Sequence, residues 1–72
     1  MKIDIYCART QQDASQHIGQ KMAGGITAAK LMSYAHCGNC GLKRGDAGKL
    51  LEGDTLLRKV NGQDAYVWAE EA

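Results

Sequence analysis

Apolar and polar residues alternate in the first segment of the chain. Between Lys2 and Cys7, every second position from Ile3 onward carries an apolar side chain, and the intervening positions carry Asp4 and Tyr6. A period of two residues is typical of a strand with one buried face. The pattern therefore predicts an N-terminal strand whose inward face includes Cys7.

The next segment has the four-residue spacing of a helix. Apolar side chains recur at Ala14, Ile18 and Met22. Thr10 and Asp13 fit a capping box in which Asp replaces the usual Glu or Gln. Two consecutive glycines after the last apolar position favour the end of a helix. The pattern predicts a helix over residues 11–23, which Gly19 weakens by about 1 kcal/mol relative to alanine.

Residues 26–36 fit two patterns. The run from Ala28 to Met32 favours a helix, whereas an alternation that starts at Leu31 and ends at Cys37 favours a strand. Either structure directs Cys37 toward the core. Both alternatives therefore stay open at this point.

Asp46 and Gly53 bracket a further short element. Asp46 is a good N-terminal cap, the residues from Lys49 to Glu52 favour a helical turn, and glycine commonly follows the last residue of a helix. The sequence predicts one short helical turn between them.

The clearest local pattern is a hairpin in the C-terminal third. Residues 55–60 and 63–68 are rich in strand-forming side chains, and Asn61-Gly62 between them suits a two-residue type I′ turn. The predicted register pairs Val60 with Gln63, Lys59 with Asp64, Leu57 with Tyr66, Leu56 with Val67 and Thr55 with Trp68. Charges then match and large apolar groups meet across the strands. Both faces of the hairpin carry apolar side chains, so both need cover.

These elements predict an α+β fold for residues 1–72 as one domain. The core is small, because Ile, Leu and Val together number twelve and phenylalanine is absent. Chains below about 70–80 residues obtain roughly 3–5 kcal/mol from such a core. Structural zinc supplies about 10–16 kcal/mol of apparent binding energy at neutral pH. The size of the chain therefore favours a fold held by metal.

A Cys-x-x-Cys pair supplies candidate metal ligands. Cys37 and Cys40 are separated by Gly-Asn and followed by Gly41, so two thiolates can bind one ion from a tight turn. The segment resembles half of a zinc-ribbon or treble-clef site, over residues 37–41 only. The second cysteine pair of those families is missing from this chain. The resemblance implies a structural zinc ion.

Two further ligands must come from elsewhere in the chain. Cys7 is the third, because the predicted strand turns it inward. His17 is the favoured fourth ligand, since it borders the apolar side of the predicted helix. His36 is the substitute, because an extended approach would point its side chain away from that of Cys37. The alternative without metal leaves three reduced core cysteines and two surface histidines.

The charges nearly cancel, at nine basic and eight acidic residues. They are unevenly distributed, since residues 1–51 carry seven basic and three acidic side chains whereas residues 52–72 carry two and five. The near-neutral total argues against a general attraction to nucleic acid or to an anionic membrane. The chain has no apolar run of membrane-spanning length and no secretion-signal pattern, so we expect a cytoplasmic protein.

The function predicted from these features is a non-enzymatic zinc-binding adaptor or regulator that docks on a larger protein machine of transcription or nucleic-acid metabolism. Stand-alone zinc modules of this size resemble regulators, including those of phages and plasmids. The predicted partner-binding residues combine the basic loop with the hairpin: Lys43, Arg44, Lys49, Arg58, Lys59 and Trp68. The alternatives are a direct DNA- or RNA-binding zinc module and a small Cys-x-x-Cys thiol-redox protein.

Overall fold

The structure, a computed structural model, describes residues 2–34, 42–43, 45–60 and 62–72. Four strands and three short helices lie in these ranges. In chain order they are β1 (Lys2–Ala8), α1 (Gln11–Ser15), β2 (Gln20–Thr27), α2 (Ala28–Tyr34), α3 (Asp46–Leu51), β3 (Leu56–Val60) and β4 (Gln63–Glu71). The predicted α+β class is confirmed.

The strands form one sheet in the order β2-β1-β4-β3, and each pair of neighbours is antiparallel. The central strands β1 and β4 carry the most buried side chains. Ile5 and Val67 are fully buried, and Ile3 is 4% exposed. The predicted N-terminal strand is therefore confirmed, and it extends one residue further, to Ala8.

The predicted hairpin is also confirmed, except that β3 begins at Leu56 and the predicted Thr55–Trp68 pair is not part of the ladder. Strand β3 pairs with β4 in the register that the Asn-Gly turn requires, from Val60 opposite Gln63 to Leu56 opposite Val67. Gly62 has the positive φ of 79° that a type I′ turn demands. Local turn chemistry and cross-strand pairing thus agree on one register.

The predicted helix over residues 11–23 is wrong beyond Ser15. Helix α1 begins as expected, with the Thr10 hydroxyl accepting a 3.1 Å hydrogen bond from the Asp13 amide. His17 then adopts a left-handed φ of 56°, and the chain continues as β2 alongside β1. Strand β2 pairs with β1 from Cys7–Gln20 to Lys2–Thr27, with register shifts on either side of Ile5. This backbone pairing outweighs the weak helical spacing of the apolar residues.

Residues 28–34 adopt the helical alternative. The Thr27 hydroxyl accepts a hydrogen bond of 3.2 Å from the Lys30 amide at the start of α2.

The predicted helical turn is also present as α3, and the chain leaves it through Gly53 at a φ of 96°. Glycine tolerates this left-handed conformation without strain. The predicted capping role of Asp46 is wrong, because Gly45 is the N-terminal cap and the Asp46 carboxylate binds Arg58 and the Lys43 amide instead.

The two faces of the sheet differ. The helical face carries Ile3, Ile5 and Cys7 and is covered by α2 and α3, which contribute Leu31 and Leu50 to the core. The aromatic face carries Tyr6, Tyr66 and Trp68, and α1 covers part of it through Ala14. None of the helices in the described ranges is long and apolar enough to cross a membrane.

Candidate functional site

Cys7 lies on the helical face, near the C-terminal end of β1. It is buried, with 9% of its surface exposed, and it belongs to the same apolar cluster as Leu31 of α2 and Leu50 of α3. Its thiol is not part of a disulfide. The inward orientation predicted from the alternation of β1 is confirmed.

His17 lies on the aromatic face. Its ring centroid is 5.7 Å from that of Trp68, and its Nδ1 atom is 3.5 Å from a carboxylate oxygen of Glu70. The same Glu70 oxygen accepts a 2.8 Å hydrogen bond from the indole Nε1 of Trp68. Because Trp68 and Cys7 project from opposite faces of the sheet, the structure does not bring His17 and Cys7 together.

The remaining predicted ligands, His36, Cys37 and Cys40, lie outside the described residues, so the cysteine knuckle stays a prediction. The elements on either side of it are described. Helix α2 contributes Leu31 to the helical face, and Leu42 is 7% exposed in the same apolar cluster. The chain therefore enters and leaves this segment on the side of the sheet toward which Cys7 points.

Among the residues whose side chains the structure describes, no three His, Cys, Asp or Glu groups are close enough together to hold a metal ion. Cys7 is the described residue best suited to join the predicted ligands of the cysteine knuckle, because thiolate is a preferred zinc ligand.

A partly buried ion pair joins α3 to the hairpin. Asp46 is 2% exposed, and its two carboxylate oxygens accept hydrogen bonds of 2.9 Å from Nε and Nη2 of Arg58. The hydrogen bonds from Arg58 hold the pKa of the Asp46 carboxyl below its usual value, despite the opposing effect of burial. The same contact raises the pKa of Arg58. Such a two-pronged contact orients both side chains.

The predicted partner-binding residues are divided between the two faces. Lys43 is exposed just before α3, and Lys49 is exposed within it. Arg58 is held by Asp46 on the same side, so its guanidinium is already engaged. Lys59 projects to the aromatic face, where its amine is 3.2 Å from the carboxylate of Asp64. Among the described residues of the predicted surface, Lys59 thus lies on the other face of β3 from Arg58, and the docking role of these residues stays a prediction.

Trp68 is not available as an exposed anchor. Only 2% of its surface is exposed, and its ring stacks on Tyr6 with a centroid distance of 5.9 Å and an interplanar angle of 18°. Gly19 and His17 lie against it from the loop between α1 and β2. Arg44 lies outside the described residues, so its place in a contact surface stays a prediction.

Sequence reasoning missed the aromatic cluster and the Asp46–Arg58 pair. Both join residues that are far apart in sequence, and no local pattern indicates either contact. The period of two in β1 did place Tyr6 on the outward face. Tyr66 and Trp68, two residues apart in β4, share one face of that strand. The missing information was the position of β1 beside β4, which brings Tyr6 opposite Trp68.

Comparisons of this chain with known protein families, with curated proteins and with solved structures find no match. Its function is therefore inferred from its own residues.

Proposed function

We propose that this chain is a small, non-enzymatic, zinc-binding adaptor of the cytoplasm that docks on a larger protein machine of transcription or nucleic-acid metabolism. The observation that carries the zinc proposal is the position of Cys7. Its thiol faces the side of the sheet where Leu31 and Leu42 pack, and these two residues flank the Cys-x-x-Cys segment in the sequence. Three thiolates from this side would hold a structural Zn²⁺.

The fourth proposed ligand is His36. His17 was the first choice on sequence spacing, but its contacts with Trp68 and Glu70 are on the opposite face from Cys7. His36 adjoins Cys37 in the sequence. It lies between Leu31 and Leu42, which both pack on the helical face. The proposed ligand set is therefore Cys7, His36, Cys37 and Cys40.

The size of the molecule supports a need for metal. A 72-residue chain buries about 60% of its unfolded surface. Several of the buried core positions are alanine, including Ala8, Ala14, Ala47 and Ala65, which bury little apolar area. Zinc binding would add a stabilising term larger than the core of such a chain supplies.

The clefts that described residues line are small. Three of them have volumes of about 260, 180 and 230 Å³. These lie below the range of roughly 300–1,000 Å³ typical of pockets for small-molecule ligands. Several charged side chains in the described part are paired at the surface or across elements, as Lys21 is with Asp4 and Arg58 with Asp46. Docking through a surface is the better fit to this arrangement.

The ligand set is tested by cobalt substitution, because Co²⁺ in a tetrahedral thiolate site absorbs visible light. We expect the wild-type chain and His17→Ala to give the same cobalt spectrum. Cys7→Ser and His36→Ala should each change its intensity and position, since each removes a ligand. An unaltered spectrum in Cys7→Ser, or its loss in His17→Ala, would contradict the proposed set.

The docking surface is proposed to include Lys43 and Lys49, which are exposed on the helical side. The partner surface is then acidic. We expect Lys43→Glu combined with Lys49→Glu to abolish recovery of a defined partner protein by the tagged chain. Lys59→Gln is the matched control, because Lys59 lies on the other face and should leave recovery unchanged.

Direct nucleic-acid binding is the competing outcome of the same experiment. An adaptor should show no retention on DNA or RNA at physiological salt. Retention that falls steeply with added salt and is lost in the Lys43→Glu, Lys49→Glu variant would replace the adaptor proposal with a nucleic-acid-binding one. A thiol-redox protein would instead lose two reactive thiols on mild oxidation in a metal-free sample.

A further inference from the structure

We propose that the chain forms a symmetric dimer in which strand β3 of one copy pairs, antiparallel, with β3 of a second copy. The proposal goes beyond the adaptor function and does not rest on zinc binding. The order β2-β1-β4-β3 places β3 at one edge of the sheet, and no other strand of the described residues pairs with it. The backbone, the side chains and the charges of this edge all fit a second copy.

The two edges of the sheet differ in regularity. The register of β2 with β1 shifts on either side of Ile5, and such irregular pairing turns an edge away from other chains. Strand β3 pairs with β4 without a shift over all five of its residues. The regular edge is therefore the better template for a further strand.

The outward-facing backbone groups of β3 belong to alternate residues. Val60 and Gln63 flank the two-residue turn and exchange backbone hydrogen bonds, so every second residue back from Val60 directs its amide and carbonyl to β4. Leu57 and Lys59 therefore direct theirs away from the sheet. Such a row of amides and carbonyls pairs readily with another strand.

A hydrogen bond to the Leu57 carbonyl agrees with this direction. Its oxygen accepts a 2.7 Å hydrogen bond from Nη1 of Arg58, whose guanidinium also binds Asp46 on the helical face. A backbone carbonyl has two lone pairs, so this oxygen can accept a second hydrogen bond from another chain. The Arg58 contact therefore leaves the edge open to pairing.

The side chain of Leu57 is left uncovered at this edge. It is 49% exposed on the aromatic face, opposite the half-buried Tyr66. In an antiparallel copy centred on Leu57, the two Leu57 side chains meet, and Thr55 of each chain lies opposite Lys59 of the other. Apolar pairs across antiparallel strands stabilise a sheet. The second copy thus covers a leucine that the single chain exposes.

The charges around β3 favour the same arrangement. The exposed Glu52 and Asp54 precede the strand, whereas Arg58 and Lys59 lie near its end. Antiparallel pairing sets the acidic end of each copy beside the basic end of the other, which helps to fix the register. A copy centred on Arg58 would instead place two guanidinium groups directly opposite each other, and like charges there are destabilising. The charges therefore favour Leu57 over Arg58 as the centre.

A dimer also suits the small core of this chain. Chains below about 70–80 residues commonly gain stability from a metal ion or from oligomerisation. Two-fold symmetric dimers are the commonest oligomers, because one self-complementary surface serves both copies. Pairing of two β3 edges would join the two sheets into one and remove the regular edge of each.

The test is the mass of the full chain in solution, measured by sedimentation equilibrium over a series of concentrations with zinc and a reductant present. We expect the wild-type chain to associate into a dimer. Leu57→Lys should raise the dimer dissociation constant by about 10-fold or more, because two like charges then face each other at the axis. Ile18→Lys is the matched control, since Ile18 is 55% exposed away from β3 and its substitution should leave the dimer intact. Circular dichroism checks that each variant folds.

A pair of opposite substitutions tests the register. Leu57→Glu should weaken self-association as Leu57→Lys does, and it serves as the second variant if Leu57→Lys does not fold. An equimolar mixture of the two should regain the dimer, since lysine then lies opposite glutamate.

Three results would overturn the proposal. A wild-type chain that is monomeric at every concentration would leave the edge to a strand of a different protein. Loss of the dimer in Ile18→Lys but not in Leu57→Lys would place the interface elsewhere. A mixture of Leu57→Lys and Leu57→Glu that stays monomeric would contradict the meeting of the two Leu57 side chains. Failure of the chain to bind zinc would change none of these expectations as long as the chain folds.

Discussion

Gly19 lies where the loop after α1 passes closest to the sheet. A Cβ atom at this position would meet the backbone carbonyl oxygen of Cys7 and would lie 2.5 Å from Cη2 of Trp68. The sequence indicated only that glycine weakens a helix here. Glycine is needed here because the backbone of residue 19 comes close to Cys7 of β1 and Trp68 of β4. No pattern along the chain reveals this contact, because it depends on where β1 and β4 lie.

Gly19→Ala should therefore be destabilising. We expect the free energy of unfolding to fall by about 1–3 kcal/mol, because backbone and a buried indole must shift to admit the methyl group. Gly48→Ala is the matched control, since a Cβ there meets open space within α3 and alanine favours helix. Urea unfolding of both variants measures the difference, and equal effects of the two substitutions would contradict the close approach.

Cys7 and His17 show what residue patterns can and cannot predict about a site. The alternation along β1 predicted the orientation of Cys7 correctly, because a period of two fixes the face of a strand. The position of His17 was inferred from a helix that ends at Ser15, before the histidine is reached. An error in one element therefore removed one candidate ligand from the site.

At the scale of elements, the hairpin was predictable because its information is local. The Asn-Gly turn sets the loop length, and that length sets every pair from Val60–Gln63 outward. Strand β2 was not predictable in the same way. Its residues have little strand preference, and the strand forms because β1 offers an edge for pairing, which is a tertiary effect.

The contact between α3 and β3 predicts a pH dependence of stability. The pKa of Asp46 is lowered in the folded state, chiefly by its hydrogen bonds from Arg58. The ionised Asp46 carboxylate therefore stabilises the folded state. This stabilisation is fully present above the unfolded pKa of about 4 and is lost as the pH falls through the folded pKa of Asp46. The wild-type chain should therefore lose stability on acidification below about pH 4.

Asp46→Asn tests this assignment. The wild-type chain should be more stable than the variant at pH 7, and the difference should shrink as the pH falls below about 4. Asp64→Asn serves as the control, because its ion pair with Lys59 is largely exposed and contributes little at any pH. The urea concentration at the unfolding midpoint of each variant, measured from pH 7 into the acid range, gives these stability differences. A difference between wild type and Asp46→Asn that stays constant would contradict the assignment.

At the scale of the whole molecule, the sequence predicted the α+β class but not the arrangement of the sheet. Each face of the hairpin was expected to need cover. The helical face is covered by α2 and α3, whereas α1 and the loop through His17 cover only part of the aromatic face, where Leu57 is 49% exposed. Such long-range pairings depend on the compatibility of several elements at once, and a single pattern does not contain them.

The apolar clusters on the two faces of the sheet are small. The proposed zinc ion would add the stability that they lack. It would link β1 to the segment between α2 and α3 through Cys7, Cys37 and Cys40. Structural zinc in small domains contributes its binding energy directly to folding. The central claim is therefore that folding of this chain depends on metal.

Thermal unfolding of the zinc-loaded chain, with and without a strong chelator, tests that claim most directly. The account predicts that the chelator lowers Tm by roughly 20 °C or more, or unfolds the chain at room temperature, because each kcal/mol shifts Tm by about 4–8 °C in a domain of this size. Added zinc should reverse the change. Identical unfolding curves with and without the chelator would contradict the claim.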